Sequence, residues 1–244
     1  MAELKKFMVR RMLTFIPTII GVTLITFMIA YVIPADPARA WAGGEKASQR
    51  AIELIRQRYH MDDPWYAQYW FLVTSLIKNE LIDPRTHNLV MYDIMKRFPV
   101  TMELAIFSFF FIIIIGIPLG IISAIKKDSP IDTFVRFFAL TGVSTPVFWL
   151  GYLLIYVFFV MFRIINIVGV PPPPERIITG IPVIDALLIG DFNTFNQHVS
   201  RFWLPGFVLG FMGAGVLARF VRNSFLEALS SDYIEFLKAK GVTK

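Results

Sequence analysis

Four uncharged apolar runs divide the chain. Met12 to Ile33 lies between Arg11 and Asp36, Leu104 to Ile125 between Glu103 and Lys126, and Phe137 to Phe162 between Arg136 and Arg163. As helices rising about 1.5 Å per residue, these three reach about 33 to 39 Å, against a bilayer hydrocarbon core of about 30 Å. The fourth run, Phe202 to Ala218, sits at the lower limit of length for a span. The pattern predicts an all-α fold, a polytopic helical bundle in a membrane. It divides into an N-terminal tail at 1–11, a first span at 12–33, an outer loop with helical segments at 34–97, and a bundle domain at 98–244. Within that domain the expected spans are about 98–125, 137–162 and 202–218, with an outer loop at 163–201 and a cytoplasmic segment at 219–244.

Composition agrees with this division. With 56% hydrophobic and 17% charged residues, the chain carries more apolar surface than a soluble core of its size can hide. The net charge of +6 raises nucleic acid as a partner, but the cations sit beside the spans. Lys5, Lys6, Arg10 and Arg11 precede the first, Lys126, Lys127 and Arg136 follow the second, and Arg219, Arg222, Lys238, Lys240 and Lys244 follow the fourth. The positive-inside bias makes these flanks cytoplasmic, with both chain ends inside and the lipid bilayer, not nucleic acid, as the partner. The chain has no cysteine, which removes disulfides and thiol chemistry. Ala38-Arg39-Ala40 looks like a signal cleavage site, but the preceding apolar region is too long for a cleaved signal and suits a retained anchor.

The outer loop carries a helical pattern over Ala51 to Tyr59, a turn at Asp62-Asp63-Pro64, and an aromatic cluster of Trp65, Tyr66, Tyr69 and Trp70. Such a cluster reads as an interfacial anchor or as a docking surface for an external partner. Prolines 171 to 174 form a semi-rigid spacer at the start of the second outer loop, and Ile181 to Phe192 suits an interfacial or re-entrant helix. Pro17, Pro118, Pro146 and Pro205 fall inside the spans and invite kinks.

Candidate chemistry is sparse. Gly206, Gly210, Ala214 and Ala218 recur every four residues, as do Gly116 and Gly120, and such stripes admit a close helix neighbour, within the chain or from a second subunit. Glu103 is the only acid in an expected membrane segment; its place near Arg97 and the outer interface lets it reach water or the free amides of a helix start. His60, His87 and His198 stand isolated in outer loops without metal-ligand spacing, so neither metal site nor catalytic residue is expected. The phosphate-loop motif of ATPases is missing, so ATP-driven work would need another polypeptide. After the fourth span, Asp232 is placed to cap a new helix, with Glu235 as reciprocal partner, Lys238 and Lys240 in the last turn, and Gly241 in the left-handed position that ends helices. Two turns of cytoplasmic helix follow, suited to docking a partner or to lying on the membrane surface.

Taken in order, five stretches resemble the dipeptide and oligopeptide permease family of ABC importers. They are RRMLTFIPTIIGVTLITFMIAYVIPADPA, RYHMDDPWYAQYWFLV, RFPVTMELAIFSFFFIIIIGIPLGIISAIKKDSPID, GVSTPVFWLG and RFWLPGFVLGFMGAGVLARFVRNSFLEALSSDYIEFLKAKG. The resemblance covers nearly the whole chain. It implies a type I importer permease in the cell (plasma or inner) membrane, with its N-terminus cytoplasmic. It implies as partners a second homologous permease, two ATP-binding cassette subunits and an extracytoplasmic binding protein. No cofactor belongs to the chain itself, ATP and magnesium being held by the ATPase subunits.

The family couples to its ATPase through a Glu-Ala-Ala triplet, three further residues, then Gly. Here the glycine falls on Gly241 and the triplet on Glu235, Phe236 and Leu237, both alanines being replaced. Asp232, Tyr233, Glu235, Lys238, Ala239 and Gly241 are the implied coupling residues. Members normally continue for two more spans beyond this glycine, so the resemblance implies the first four of six, a fragment or degenerate product stopping inside the coupling loop. The implied cargo is peptide, with oligosaccharide or nickel import as the alternative on the same machinery. A non-transporting scaffold is the alternative of another class, and substrate-contacting residues are not legible.

Overall fold

The computed structural model describes residues 2–32, 36–165 and 169–241, without the side chains of residues 2, 3, 32, 235 and 238. The described residues fold as an all-α chain, with one isolated antiparallel bridge between Ile82 and Leu89. Three helices are long and apolar enough to cross a bilayer, and a bent helix pair makes up to four. The chain forms two compact units, residues 1–96 and 97–244.

In the first unit, α1 (Ala2–Phe27) continues into a π-helical turn at Met28–Val32. The expected N-terminal tail is thus part of the helix, because its Leu, Lys and Arg residues are good helix formers. Hydroxyls of Thr14, Thr18, Thr23 and Thr26 donate to carbonyls three or four residues earlier, satisfying polar groups that lipid would not. Pro37 opens α2 (Pro37–Trp41), where the Asp36 carboxylate accepts the Arg39 N–H, and Ser48 caps α3 (Gln49–Arg58) through the Ala51 N–H. Phe27 stacks on Tyr31, Tyr31 meets Trp41 edge-on, and Trp41 meets Tyr59 edge-on. This aromatic ladder fastens α1 to the two short helices.

The aromatic cluster divides on α4 (Trp65–Ile77). Trp65, Tyr66 and Trp70 are exposed, whereas the Tyr69 hydroxyl bonds to Thr23 at 2.8 Å and its ring meets Phe27.

α5 (Val90–Ile125) begins in the first unit and continues through the second as a helix of 36 residues. The expected span 137–162 is corrected by the structure. It is split between α6 (Pro130–Ser144) and α7 (Val147–Ile155), which are bent by 98°, with a π-helical tail at Tyr156–Met161. Pro146 causes the break: it has no N–H to donate and forces Thr145 out of the helical region, to ψ 122°. By contrast, Pro118 and Pro205 lie within continuous helices. The outer loop expected at 163–201 is also partly helical, holding α8 (Pro182–Ile189) and the first ten residues of α9 (Phe192–Leu229). α9 extends well past 202–218 in both directions, because charge sets where a helix leaves lipid, not where its hydrogen bonds end. Then α10 (Asp232–Ala239) follows a break at Ser230 and Ser231.

The core of the second unit is the seam between α5 and α9. A Cβ added to Gly120 would lie 2.7 Å from the Ala218 carbonyl oxygen, one on Gly116 3.0 Å from that of Ala214, and one on Gly210 2.9 Å from that of Ser108. Only residues without a side chain permit such backbone contact. Contacts pair 107 with 206, 111 with 210, 116 with 214 and 120 with 218, so the two helices run parallel. α6 packs on another face of α9, where Gly215 lies against the Ala139 backbone and Phe138 meets Phe211.

Candidate functional site

The four-residue stripe of α9 extends beyond its small members. His198, Phe202, Gly206, Gly210, Ala214 and Ala218 are all buried, and Arg222 continues the series with its side chain 15% exposed. The small residues make the seam, and the two ends hold buried polar clamps. From 198 to 222 is 24 residues, about 36 Å of helix, which exceeds the thickness of a hydrocarbon core of about 30 Å.

The clamp at the Arg222 end centres on Asp132, in the first turn of α6 and fully buried. Its carboxylate accepts two parallel bonds from Arg222, Nε to Oδ1 and Nη2 to Oδ2, each 2.8 Å. The Ser123 hydroxyl at the end of α5 donates to Oδ1, and the Asp128 N–H donates to Oδ2 at 3.0 Å. Arg136 adds a longer contact at 3.7 Å. One carboxylate therefore ties the end of α5, the turn after it, the start of α6 and α9 together. A bidentate guanidinium and two further donors satisfy the charge that burial would otherwise penalise.

The clamp at the His198 end corrects two expectations. His198 does not stand isolated in a loop: it lies in α9, fully enclosed and stacked on Phe202. Glu103 does not reach water: it is fully enclosed too, and Nδ1 of His198 lies 3.0 Å from Oε1 and 3.1 Å from Oε2. The expected free amide is present, but it belongs to α8, whose Val183 N–H donates to Oε1 at 2.6 Å. On the other ring edge, Nε2 lies 3.1 Å from the Pro172 carbonyl oxygen. Sequence spacing hid this cluster because its members are separated by up to 95 residues.

Asp185 organises the loop before α8. Its carboxylate accepts from the Thr179 N–H and hydroxyl at 2.7 and 2.6 Å, and from the Gly180 N–H at 3.1 Å. Burial pushes this carboxyl up, but the Thr179 and Gly180 donors outweigh it and hold it below the ordinary carboxylate range. His60 bonds to Asp63 in the first unit, and His87 is exposed. Among the described residues, no group of three or more His, Cys, Asp or Glu is placed to hold a metal ion. An apolar cavity of about 380 Å³ lies between α7 and α9, walled by Ile155, Leu204, Val208 and Leu209, with Ser200 and Arg201 also lining it.

α10 begins ten residues after Arg222. Asp232 is its first helical residue, one place inside the expected capping position; the Ser231 carbonyl accepts the Ile234 N–H, and the Ser231 hydroxyl turns back to Ala228. The reciprocal arm expected of Glu235, and the Lys238 side chain, lie outside the described residues. Tyr233 and Phe236 are exposed at 68% and 55%, and the Lys240 ammonium sits 4.4 Å over the Phe236 ring. Ala239 closes the helix, and Gly241 takes φ +82°. The result is a short helix presenting aromatic and charged side chains, carried on a rod clamped at Arg222.

Residues 116–244 match the family model for the binding-protein-dependent transport system inner membrane component, and residues 4–105 match that of its N-terminal part. The chain is 39% identical over 228 residues to the probable D,D-dipeptide transport system permease protein of Escherichia coli K12, covering 91% of this chain and 66% of that one. It is 37% identical over 235 residues to the dipeptide transport system permease protein of Alkalihalophilus pseudofirmus, covering 95% and 70%. A glutathione transport system permease protein of Escherichia coli O6:H1 is 32% identical over 239 residues, covering 98% and 69%. The chain thus spans about two thirds of the length of the curated relatives it matches.

Proposed function

We propose a function for this chain from one premise: it belongs to the family of binding-protein-dependent transport system inner membrane components. It serves as a membrane-spanning permease subunit of an ABC importer, forming half of a path through the inner membrane for peptides. The observation that carries this reading is the run of family matches along the chain, taking in both the N-terminal part and the bundle with α10 at its end. Peptide cargo follows from the relatives, which are named for dipeptide, D,D-dipeptide and glutathione transport.

In this reading the chain pairs with a second homologous permease, receives cargo from an extracytoplasmic binding protein, and docks two ATP-binding cassette subunits that hold the ATP and magnesium. Its N-terminus and α10 are cytoplasmic. Tyr233, the exposed side of α10 and the turn at Gly241 make the docking surface. The Asp132–Arg222 clamp joins α9, which carries that surface, to α5 and α6, so a push on α10 displaces the helices together. Pro118 and Pro205 loosen α5 and α9, and Pro146 is the bend about which α7 moves. Gly116, Gly120, Gly206, Gly210, Ala214 and Ala218 keep α5 and α9 in one body during that motion.

The experiment is to purify the protein with the ATP-binding subunit of its own transport system and measure ATP turnover with and without peptide-loaded binding protein. Turnover that rises with the loaded binding protein supports the reading. Failure of the protein to retain any ATP-binding subunit overturns it.

A further inference from the structure

Glu103 and His198 are enclosed, and their hydrogen-bond partners fix how many protons they carry. Nε2 of His198 faces the Pro172 carbonyl, which can only accept, and Nδ1 faces the Glu103 carboxylate. A neutral imidazole has one N–H and cannot satisfy two acceptors. The contacts are complete when the ring carries both protons, donating from Nε2 to Pro172 and from Nδ1 to the Glu103 carboxylate, which also accepts the Val183 N–H at the start of α8. We propose that Glu103 and His198 form a buried one-proton site, and that this proton docks the proline segment 171–174 against α9.

The charged surroundings isolate this proton. On α5 the group facing His198 is Glu103; on α8 the nearest acid, Asp185, is turned to Thr179 and Gly180. On α9 itself Phe202 covers the ring, with Arg201 one position earlier, and the proline segment offers only a carbonyl until Glu175 and Arg176. When the proton leaves, a neutral ring keeps one N–H. Retained on Nδ1, it preserves the bond to the carboxylate and turns the Nε2 lone pair toward the Pro172 oxygen. Retained on Nε2, it turns the Nδ1 lone pair toward an anion. The first is cheaper, because a carbonyl repels a lone pair less than a carboxylate does, so the contact that opens is the one to Pro172. Proton loss therefore frees the proline segment and leaves the Glu103 bond to α8 intact.

The chemistry also names a substitution that removes the proton requirement without removing the contacts. In Glu103→Gln, the amide oxygen accepts from Val183, the amide nitrogen donates to a neutral Nδ1, and Nε2–H still donates to Pro172. The test uses the whole protein in lipid nanodiscs with nitrogen-15-labelled histidine. Three histidines give three sets of signals, and His198→Asn identifies one of them. We expect His198 to show two N–H groups at neutral pH and to lose the one on Nε2 as pH is raised.

A spin label on Ile177→Cys, in a chain that has no other cysteine, should pass from an immobile to a mobile spectrum over the same pH interval. In Glu103→Gln, His198 should carry a single N–H on Nε2 and the label should stay immobile throughout. A single N–H on wild-type His198 at neutral pH overturns the proposal, as does a label whose mobility ignores the His198 titration or titrates unchanged in Glu103→Gln. Neither readout depends on transport, so the outcome is separate from that of the permease reading.

Discussion

Replacing Arg222 by alanine strips the bidentate partner from a carboxylate that has no access to water. Breaking a buried ion pair by removing one member costs about 3–5 kcal/mol when nothing replaces it. Here Asp132 keeps the Ser123 hydroxyl and the Asp128 N–H, and Arg136 lies 3.7 Å away with half its side chain exposed. Those partners recover part of the loss and bring the expected cost to about 2–3 kcal/mol, roughly a 30- to 150-fold fall in the folded-to-unfolded ratio. Asp132→Asn should cost less, about 1–2 kcal/mol, because the stranded guanidinium is long and partly exposed. The assay is unfolding in mixed micelles as the denaturing detergent fraction rises, read by tryptophan fluorescence, since Trp149 and Trp203 both lie in the second unit. The double variant Asp132→Ala with Arg222→Ala closes a cycle whose coupling should exceed about 1 kcal/mol. Additive single effects, or an Arg222→Ala protein as stable as wild type, would refute the clamp.

Other consequences are independent of that pair. Gly120→Ala places a methyl 2.7 Å from the Ala218 carbonyl oxygen and from Val221, so it should destabilise the bundle by about 1–3 kcal/mol in the same assay. Gly21→Ala meets nothing within 4 Å and should instead be neutral or stabilising by up to about 1 kcal/mol. The depressed carboxyl of Asp185 stabilises the fold above the ordinary carboxylate range, and that contribution is lost as pH falls through the folded-state value. Hydrogen-exchange protection at Thr179 and Gly180, measured against the intrinsic rate at each pH, should therefore fall on acidification, and Asp185→Asn should show low protection already at neutral pH.

How much of this was legible in the sequence depended on distance along the chain. The runs at 104–125 and 202–218 lie within α5 and α9, and length without charge is a local property that a sequence displays directly. Their ends were not legible: α9 runs on through Arg201 and Arg222, since a helix continues into water wherever its backbone bonds do. The break at Pro146 could be foreseen as a bend but not as one of 98°, which is set by Thr145 and Pro146 both leaving the helical region. The small-residue stripe placed the close faces. Followed eight residues back through Phe202 and four residues on, the same spacing also carries His198 and Arg222 onto the buried side, although both read in the sequence as flanking polar residues. Their partners, Glu103 and Asp132, lie 95 and 90 residues away, and no spacing rule links positions joined only by the packing of α5 and α6 on α9.

The account rests most heavily on α10 as the cytoplasmic docking element for an ATP-binding subunit. With no native cysteine, one thiol can be placed at Tyr233, on the exposed side of α10, and another at Ile177, in the loop before α8, and each offered a cleavable crosslinker. In the assembled transporter, Tyr233→Cys should crosslink to the ATP-binding subunit and resist an impermeant thiol reagent added to intact cells, while Ile177→Cys should react with that reagent and never reach the subunit. Labelling of Tyr233→Cys from outside, or crosslinking of the ATP-binding subunit through Ile177→Cys, would contradict it.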